Sequence, residues 1–191
     1  MERRYNNRAA DIISEEGRMI KGYASTFESM YEMFEGYNET IARGAFDDCD
    51  MSDVVALFNH ESEQLLARTK DGKGTLTLAV DDKGLYFEFE ALNTTMGNDV
   101  LENIKAGNIR GCSFAFTVAE QKVEEFADGS MLRTIMKIDK LYDVGPVVNP
   151  AYEDTEVEAY KKRSKELIIK EDTKTINESY YIAQKFKFNL N

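Results

Sequence analysis

Acid–base chemistry near neutral pH calls for an imidazole, and this chain of 191 residues has one, His60. It follows an apolar run, Val54-Val55-Ala56-Leu57-Phe58-Asn59-His60. Two further groups complete a set able to do nucleophilic chemistry. Ser113 lies in Arg110-Gly111-Cys112-Ser113-Phe114-Ala115-Phe116, and Asp143 in Leu141-Tyr142-Asp143-Val144. A serine hydroxyl is hardly ionised at neutral pH, so it needs a base within hydrogen-bond reach. A third group commonly fixes the tautomer of that base and stabilises its charged form. The order His60, Ser113, Asp143 is no obstacle, because such sets assemble from distant segments in any order. The two cysteines, Cys49 and Cys112, lack C-x-x-C spacing, and one histidine cannot complete a conventional structural zinc site. The expected chemistry therefore uses neither metal nor cofactor.

Alternation around Ser113 sharpens the case. Cys112, Phe114, Phe116 and Val118 fall on one strand face, leaving Ser113, Ala115 and Thr117 on the other. That second face is expected to be small and open, as a substrate backbone would require. The same pattern also fits an ordinary amphipathic strand with a surface serine. Cys112 shares the face of two phenylalanines and reads as a core residue rather than a nucleophile.

The elements that must position these groups are mainly strands. Residues 75–91 read as a β-hairpin: Leu76, Leu78 and Val80, then the turn Asp81-Asp82-Lys83-Gly84, then Leu85, Phe87 and Phe89 alternating with outward glutamates. Further strands are expected at 18–27, 54–58, 112–119 and 131–141, the last two joined by Asp128-Gly129-Ser130. One helix is expected, with N-cap candidates in Asn93-Thr94-Thr95, an apolar stripe of Val100, Leu101 and Ile104, and a stop at Gly107-Asn108. Residues 28–40, of mixed polarity with Gly36 and Asn38, read as a loop.

Length and an apolar fraction of 42% suit one globular domain with a real core. The net charge of −11 is unevenly spread. Residues 161–191 carry eight basic and four acidic groups, so the tail is +4 and the first 160 residues are −15. An acidic body repels phosphates and argues against nucleic acid as a partner. No apolar run approaches a membrane span, and the start lacks a signal peptide's apolar stretch, so a cytosolic, membrane-free protein is expected. Domain organisation reads as a body over 1–160 and a basic C-terminal tail over 161–191, mobile or processed.

Five strings in series carry a resemblance over residues 17–155. They are Lys21-Gly22-Tyr23-Ala24-Ser25-Thr26-Phe27, Ile41-Ala42-Arg43-Gly44-Ala45-Phe46, Asn59-His60, Gly111-Cys112-Ser113-Phe114-Ala115-Phe116, and Leu141-Tyr142-Asp143-Val144-Gly145-Pro146-Val147-Val148-Asn149-Pro150-Ala151-Tyr152. The chain resembles the tailed-phage prohead maturation proteases. The resemblance implies a mainly β fold with a few helices, a compact antiparallel β-barrel like that of herpesvirus assembly proteases. It implies a serine endopeptidase inside the assembling prohead in the host bacterial cytoplasm. There it would cleave major capsid protein or scaffold extensions, and its own chain, with a homo-oligomer possible. His60 matches the family's base, Ser113 its nucleophile, and Asp143 the position usually held by an acid. Gly145-Pro146 departs from the family's usual small polar or aliphatic pair. Arg110, Gly111 and Cys112, just before the nucleophile, are the oxyanion and substrate-binding candidates. The rival readings are a non-catalytic capsid assembly or scaffold protein of the same fold, and an unrelated β-barrel binding module.

Overall fold

The computed structural model describes residues 2–6, 13–14 and 17–148, and these fall within one compact unit, Glu2–Ala151. The tail after Tyr160, with its expected mobility and processing, lies outside the described residues. Among the described residues, twelve strands and one helix follow in chain order. The first half holds β1 (Glu2–Asn6), β2 (Ile13–Ser14), β3 (Met19–Thr26), β4 (Tyr31–Phe34), β5 (Tyr37–Ile41) and β6 (Asp53–Leu57). Then come β7 (Leu65–Lys70), β8 (Lys73–Gly74), β9 (Thr77–Val80), β10 (Gly84–Glu90), α1 (Thr95–Lys105), β11 (Gly111–Glu125) and β12 (Met131–Val147).

The strands make two sheets. The larger runs β1-β11-β12-β6-β7-β8, with β5 also on β12 and β4 on β5; the smaller runs β2-β3-β10-β9. Neither sheet closes on itself, so the expected compact barrel is corrected to two open sheets. The pairing is mainly antiparallel, as expected, with two parallel exceptions. The parallel pairing arises at β12, whose 17 residues have different partners along their two edges. Along one edge it pairs antiparallel with β11. Along the other it takes two parallel partners in turn, β5 against Met131–Ile135 and β6 against Asp143 and Val144. Among the described residues one helix forms rather than a few.

The core lies between the sheets and the helix. Phe87, Phe89 and Leu85 from the expected hairpin meet Phe114, Phe116, Ile135, Ile138 and Leu141 from β11 and β12, all essentially inaccessible to water. Phe114 and Phe116 stack with ring centroids 4.7 Å apart. The helix begins at the expected cap: the Thr94 hydroxyl accepts from the Gly97 N–H at 3.1 Å, and Val100, Leu101 and Ile104 are buried. Residues 28–40 are not a loop. They form the β4–β5 hairpin, turning at Gly36 with φ +76. The alternation of β5 is hidden in sequence because one of its inward residues is Glu39, whose carboxylate is buried against Arg133 at 2.9 Å.

β6 and β7 hold the loop that carries His60, and a surface cluster fastens them. Arg68 donates to both carboxylate oxygens of Asp53 at 2.8 and 2.7 Å, and Lys70 lies 3.2 Å away. The Arg68 hydrogen bonds hold the Asp53 carboxyl well down, at about 2. A folded-state value below the unfolded one stabilises above the unfolded value and is lost as pH falls from about 4 toward 2. The cluster is exposed, so its contribution is small and screened by salt. Asp53→Asn should therefore lower the urea midpoint slightly at about pH 6 and hardly at all near pH 2. An equal loss at both pH values would show that the carboxylate's charge is not what matters.

Candidate active site

The larger sheet brings three sequence-distant residues onto one face. The ladder sets Ala115 opposite Asp143, and Asp143 opposite Val55; one step along, Ser113 pairs with Gly145. Residues i and i+2 share a strand face, so Ser113 and Ala115 lie beside Gly145 and Asp143 on one surface. The β6–β7 connection brings His60 over that surface. Its Nδ1 is 2.6 Å from Asp143 Oδ1, and its Nε2 hydrogen-bonds Ser113 Oγ. His60 is 6% exposed, Asp143 4% and Ser113 0%. The carboxylate accepts from Nδ1–H, which leaves Nε2 as the acceptor facing the hydroxyl. Such an arrangement can remove a proton from Ser113 Oγ and hold the resulting imidazolium against a carboxylate.

One expectation about this face is corrected. Ser113 and Ala115 are not on an open wall but fully buried. The ladder gives the small size of Ala115 a different meaning, since that residue lies beside Asp143.

The geometry depends on backbone and side-chain contacts to which the sequence assigns no role. Asn59 and His60 both have positive φ, 54 and 61, a conformation uncommon for non-glycine residues and most tolerated by Asn, Asp and His. The loop is closed by Phe58 N–H to Gln64 O at 3.1 Å and Glu61 N–H to Phe58 O at 3.1 Å. Asn59 ties it to the end of β12. Its N–H donates to Pro146 O at 3.1 Å and its Oδ1 accepts from Val148 N–H at 3.0 Å. Proline has no N–H to give, but its carbonyl serves here. Gly145 allows β12 to approach β6 closely, since a Cβ there would stand 2.0 Å from Leu57 O. Gly145 thus has a structural reason, and β12 continues through Pro146 to Val147.

Asn59 is accordingly a positioning residue. Asn59→Gly keeps the left-handed backbone but loses the clip to Val148, and a lost hydrogen bond of ~1 kcal/mol corresponds to a fall of up to about tenfold. That fall should appear in kcat with KM little changed, and Asn59→Asp, which keeps the acceptor, should recover most of it. A change confined to KM would place Asn59 in substrate contact instead.

The remaining candidates are arranged less closely. Arg110 is exposed, and its Nε donates to Gly107 O at 2.9 Å, at the end of α1. Gly111 opens β11 opposite Val147. Cys112 is a core residue, and burial pushes its thiol far above the ordinary range. Cys49 is also pushed up by burial, to about 11, so neither thiol is poised as a nucleophile. Among the described residues no cluster of three or more His, Cys, Asp or Glu could hold a metal ion, and no helix is long and apolar enough to cross a membrane.

No curated protein is similar enough in sequence to count as a match. Among solved structures, the bacteriophage T4 capsid assembly protease gp21 is similar to this chain at a TM-score of 0.45 and 12% identity, covering 78% of this chain and 100% of that one. The model of the caudovirus prohead serine proteases matches residues 3–169, which takes in nearly all of β1 and every later strand and the helix, and the chain belongs to that family.

Proposed function

We propose that this chain is a serine endopeptidase of prohead maturation, with Ser113 as nucleophile, His60 as general base and acid, and Asp143 as the orienting carboxylate. The observation that carries the reading is the unbroken hydrogen-bonded series from Asp143 through His60 to Ser113 Oγ. His60 Nε2 accepts the hydroxyl proton as Oγ bonds to the peptide carbonyl carbon. The same proton then passes to the amine as the C–N bond breaks, leaving an acyl-enzyme. Water, deprotonated by the same nitrogen, releases the acid. The rate must fall in acid, because a protonated imidazole cannot accept. On the oxyanion side we assign Arg110, exposed and held to the helix end by its Nε, alongside the Gly111–Cys112 backbone. The substrates would be capsid-protein or scaffold extensions within the assembling prohead, and the chain's own basic tail.

The test is the intact mass of full-length protein held at high concentration. Wild type should shed its tail by cuts between Tyr160 and Lys174, while Ser113→Ala keeps its full mass. Identical, unchanged masses for both would sink self-processing. If neither form cleaves a capsid or scaffold polypeptide either, a non-catalytic assembly protein of this family becomes the better reading. Asp143→Asn should be slow rather than inactive, because the base survives but loses its enforced tautomer. Full turnover by Asp143→Ala would remove the acid from the set.

A further inference from the structure

β11 carries the nucleophile and has two edges. β12 holds one along its whole length, from Gly111 opposite Val147 to Glu125 opposite Met131. Among the described residues, the other edge is covered only around Ser113, by the chain's own first strand. β1 pairs antiparallel there, with Glu2 opposite Phe116, Arg3 opposite Ala115, Arg4 opposite Phe114, Tyr5 opposite Ser113 and Asn6 opposite Cys112. A five-residue segment thus lies beside the serine, where an extended backbone can pair with the nucleophile strand.

We propose, on the reading of the chain as a serine endopeptidase, that this edge is the acceptor for an extended substrate peptide. Glu2–Asn6 then occupies it in substrate register, with Tyr5 in place of the residue whose carbonyl is attacked. Exposed strand edges are templates for an added strand, which binds through main-chain hydrogen bonds and so accepts varied sequences. The polarity fits. In an antiparallel arrangement the residues before the attacked carbonyl run along Phe114 to Phe116, and those after it pass Cys112. With β12 on the opposite edge, a substrate has no other β11 backbone beside Ser113 to pair with. Substrate and β1 therefore exclude one another, and the first strand acts as a tethered competitor. A strand docked about nine-tenths of the time lowers apparent reactivity about tenfold.

The experiment uses a fluorophosphonate probe that labels an activated serine, with three forms of the full chain and one control. The forms are wild type, a variant lacking residues 2–7, and Arg4→Pro/Tyr5→Pro. In an antiparallel pair, one of two neighbouring residues directs its N–H at the partner strand, so the double proline removes a ladder bond whichever it is. Ser113→Ala is the control. Labelling of both altered forms should be about tenfold faster than wild type or more. A synthetic peptide of residues 1–8 should slow the truncated form again, competitively. If the truncated chain does not fold by circular dichroism, the proline form decides between the outcomes. Equal rates in wild type and the altered forms, with no effect of the peptide, overturn the proposal while labelling that requires Ser113 upholds the protease reading. No labelling of any folded form overturns both.

Discussion

Replacing Ser113 with alanine should lower peptide cleavage by about 10⁴- to 10⁶-fold, the usual cost of removing a member of a set that acts as a unit. The fold should survive with little loss. The change removes a single oxygen atom, leaves almost no cavity, and forfeits one hydrogen bond worth ~1 kcal/mol, that to His60 Nε2. His60→Asn should be as inactive, since no second histidine can replace the base. Combining the two should add almost nothing, because a hydroxyl without its base and a base without its hydroxyl are equally idle. Steady-state cleavage of a defined peptide, with circular dichroism to confirm folding, separates these outcomes. Cleavage by Ser113→Ala above about a tenth of the wild-type rate would remove Ser113 from its role.

Gly145→Ala should damage activity more than its size suggests. The added methyl would sit 2.0 Å from Leu57 O, 3.0 Å from Leu57 C and 3.1 Å from Leu57 N, all backbone atoms with no rotamer to yield. The positive φ of 155 at this position adds strain for any side chain. Overpacking of this kind costs about 1–3 kcal/mol, a fall in Tm of about 2–12 °C for a chain of this size. The effect on catalysis should be larger. The two strands forced apart carry His60 three residues beyond Leu57 and Asp143 two residues before Gly145, with Ser113 opposite Gly145 in the ladder. A displacement of ~1 Å in such a set can cost about a hundredfold in kcat. Measuring kcat and Tm together decides the matter. A kcat that follows wild type despite a lower Tm would show that the close approach serves stability alone.

The three candidate residues are legible in the sequence through the resemblance carried by the strings around His60, Ser113 and Asp143, since strand pattern alone also fits a surface serine. The hairpin over 75–91 and the strand at 112–119 are readable from alternation, the strand at 54–58 from its short apolar run, and the helix from its cap, apolar stripe and Gly107-Asn108 stop. What stays hidden also has physical causes. β5 is concealed because its inward Glu39 is neutralised by Arg133, a residue 94 positions away, and no local pattern announces such a partner. β7 is concealed because Arg68 and Lys70 dilute its apolar residues. The parallel pairing of β12 with β5 and β6 cannot be foreseen because it leaves no turn signal in sequence. The side-chain clip at Asn59 and the close backbone approach at Gly145 show in sequence only as an asparagine before a histidine and a glycine before a proline.

The spacing of the three residues also governs when reactivity can arise during the life of the chain. His60 reaches across 53 positions to Ser113 and 83 to Asp143, and the carboxylate lies near the end of β12, the last strand among the described residues. Loops of that length close late, and a topology rich in distant pairings folds slowly. A ribosome-bound chain that has not yet released β12 has a serine and an imidazole with no sheet to align them. On the proposed reading, reactivity therefore requires that β12 has docked, because only then are the three residues aligned.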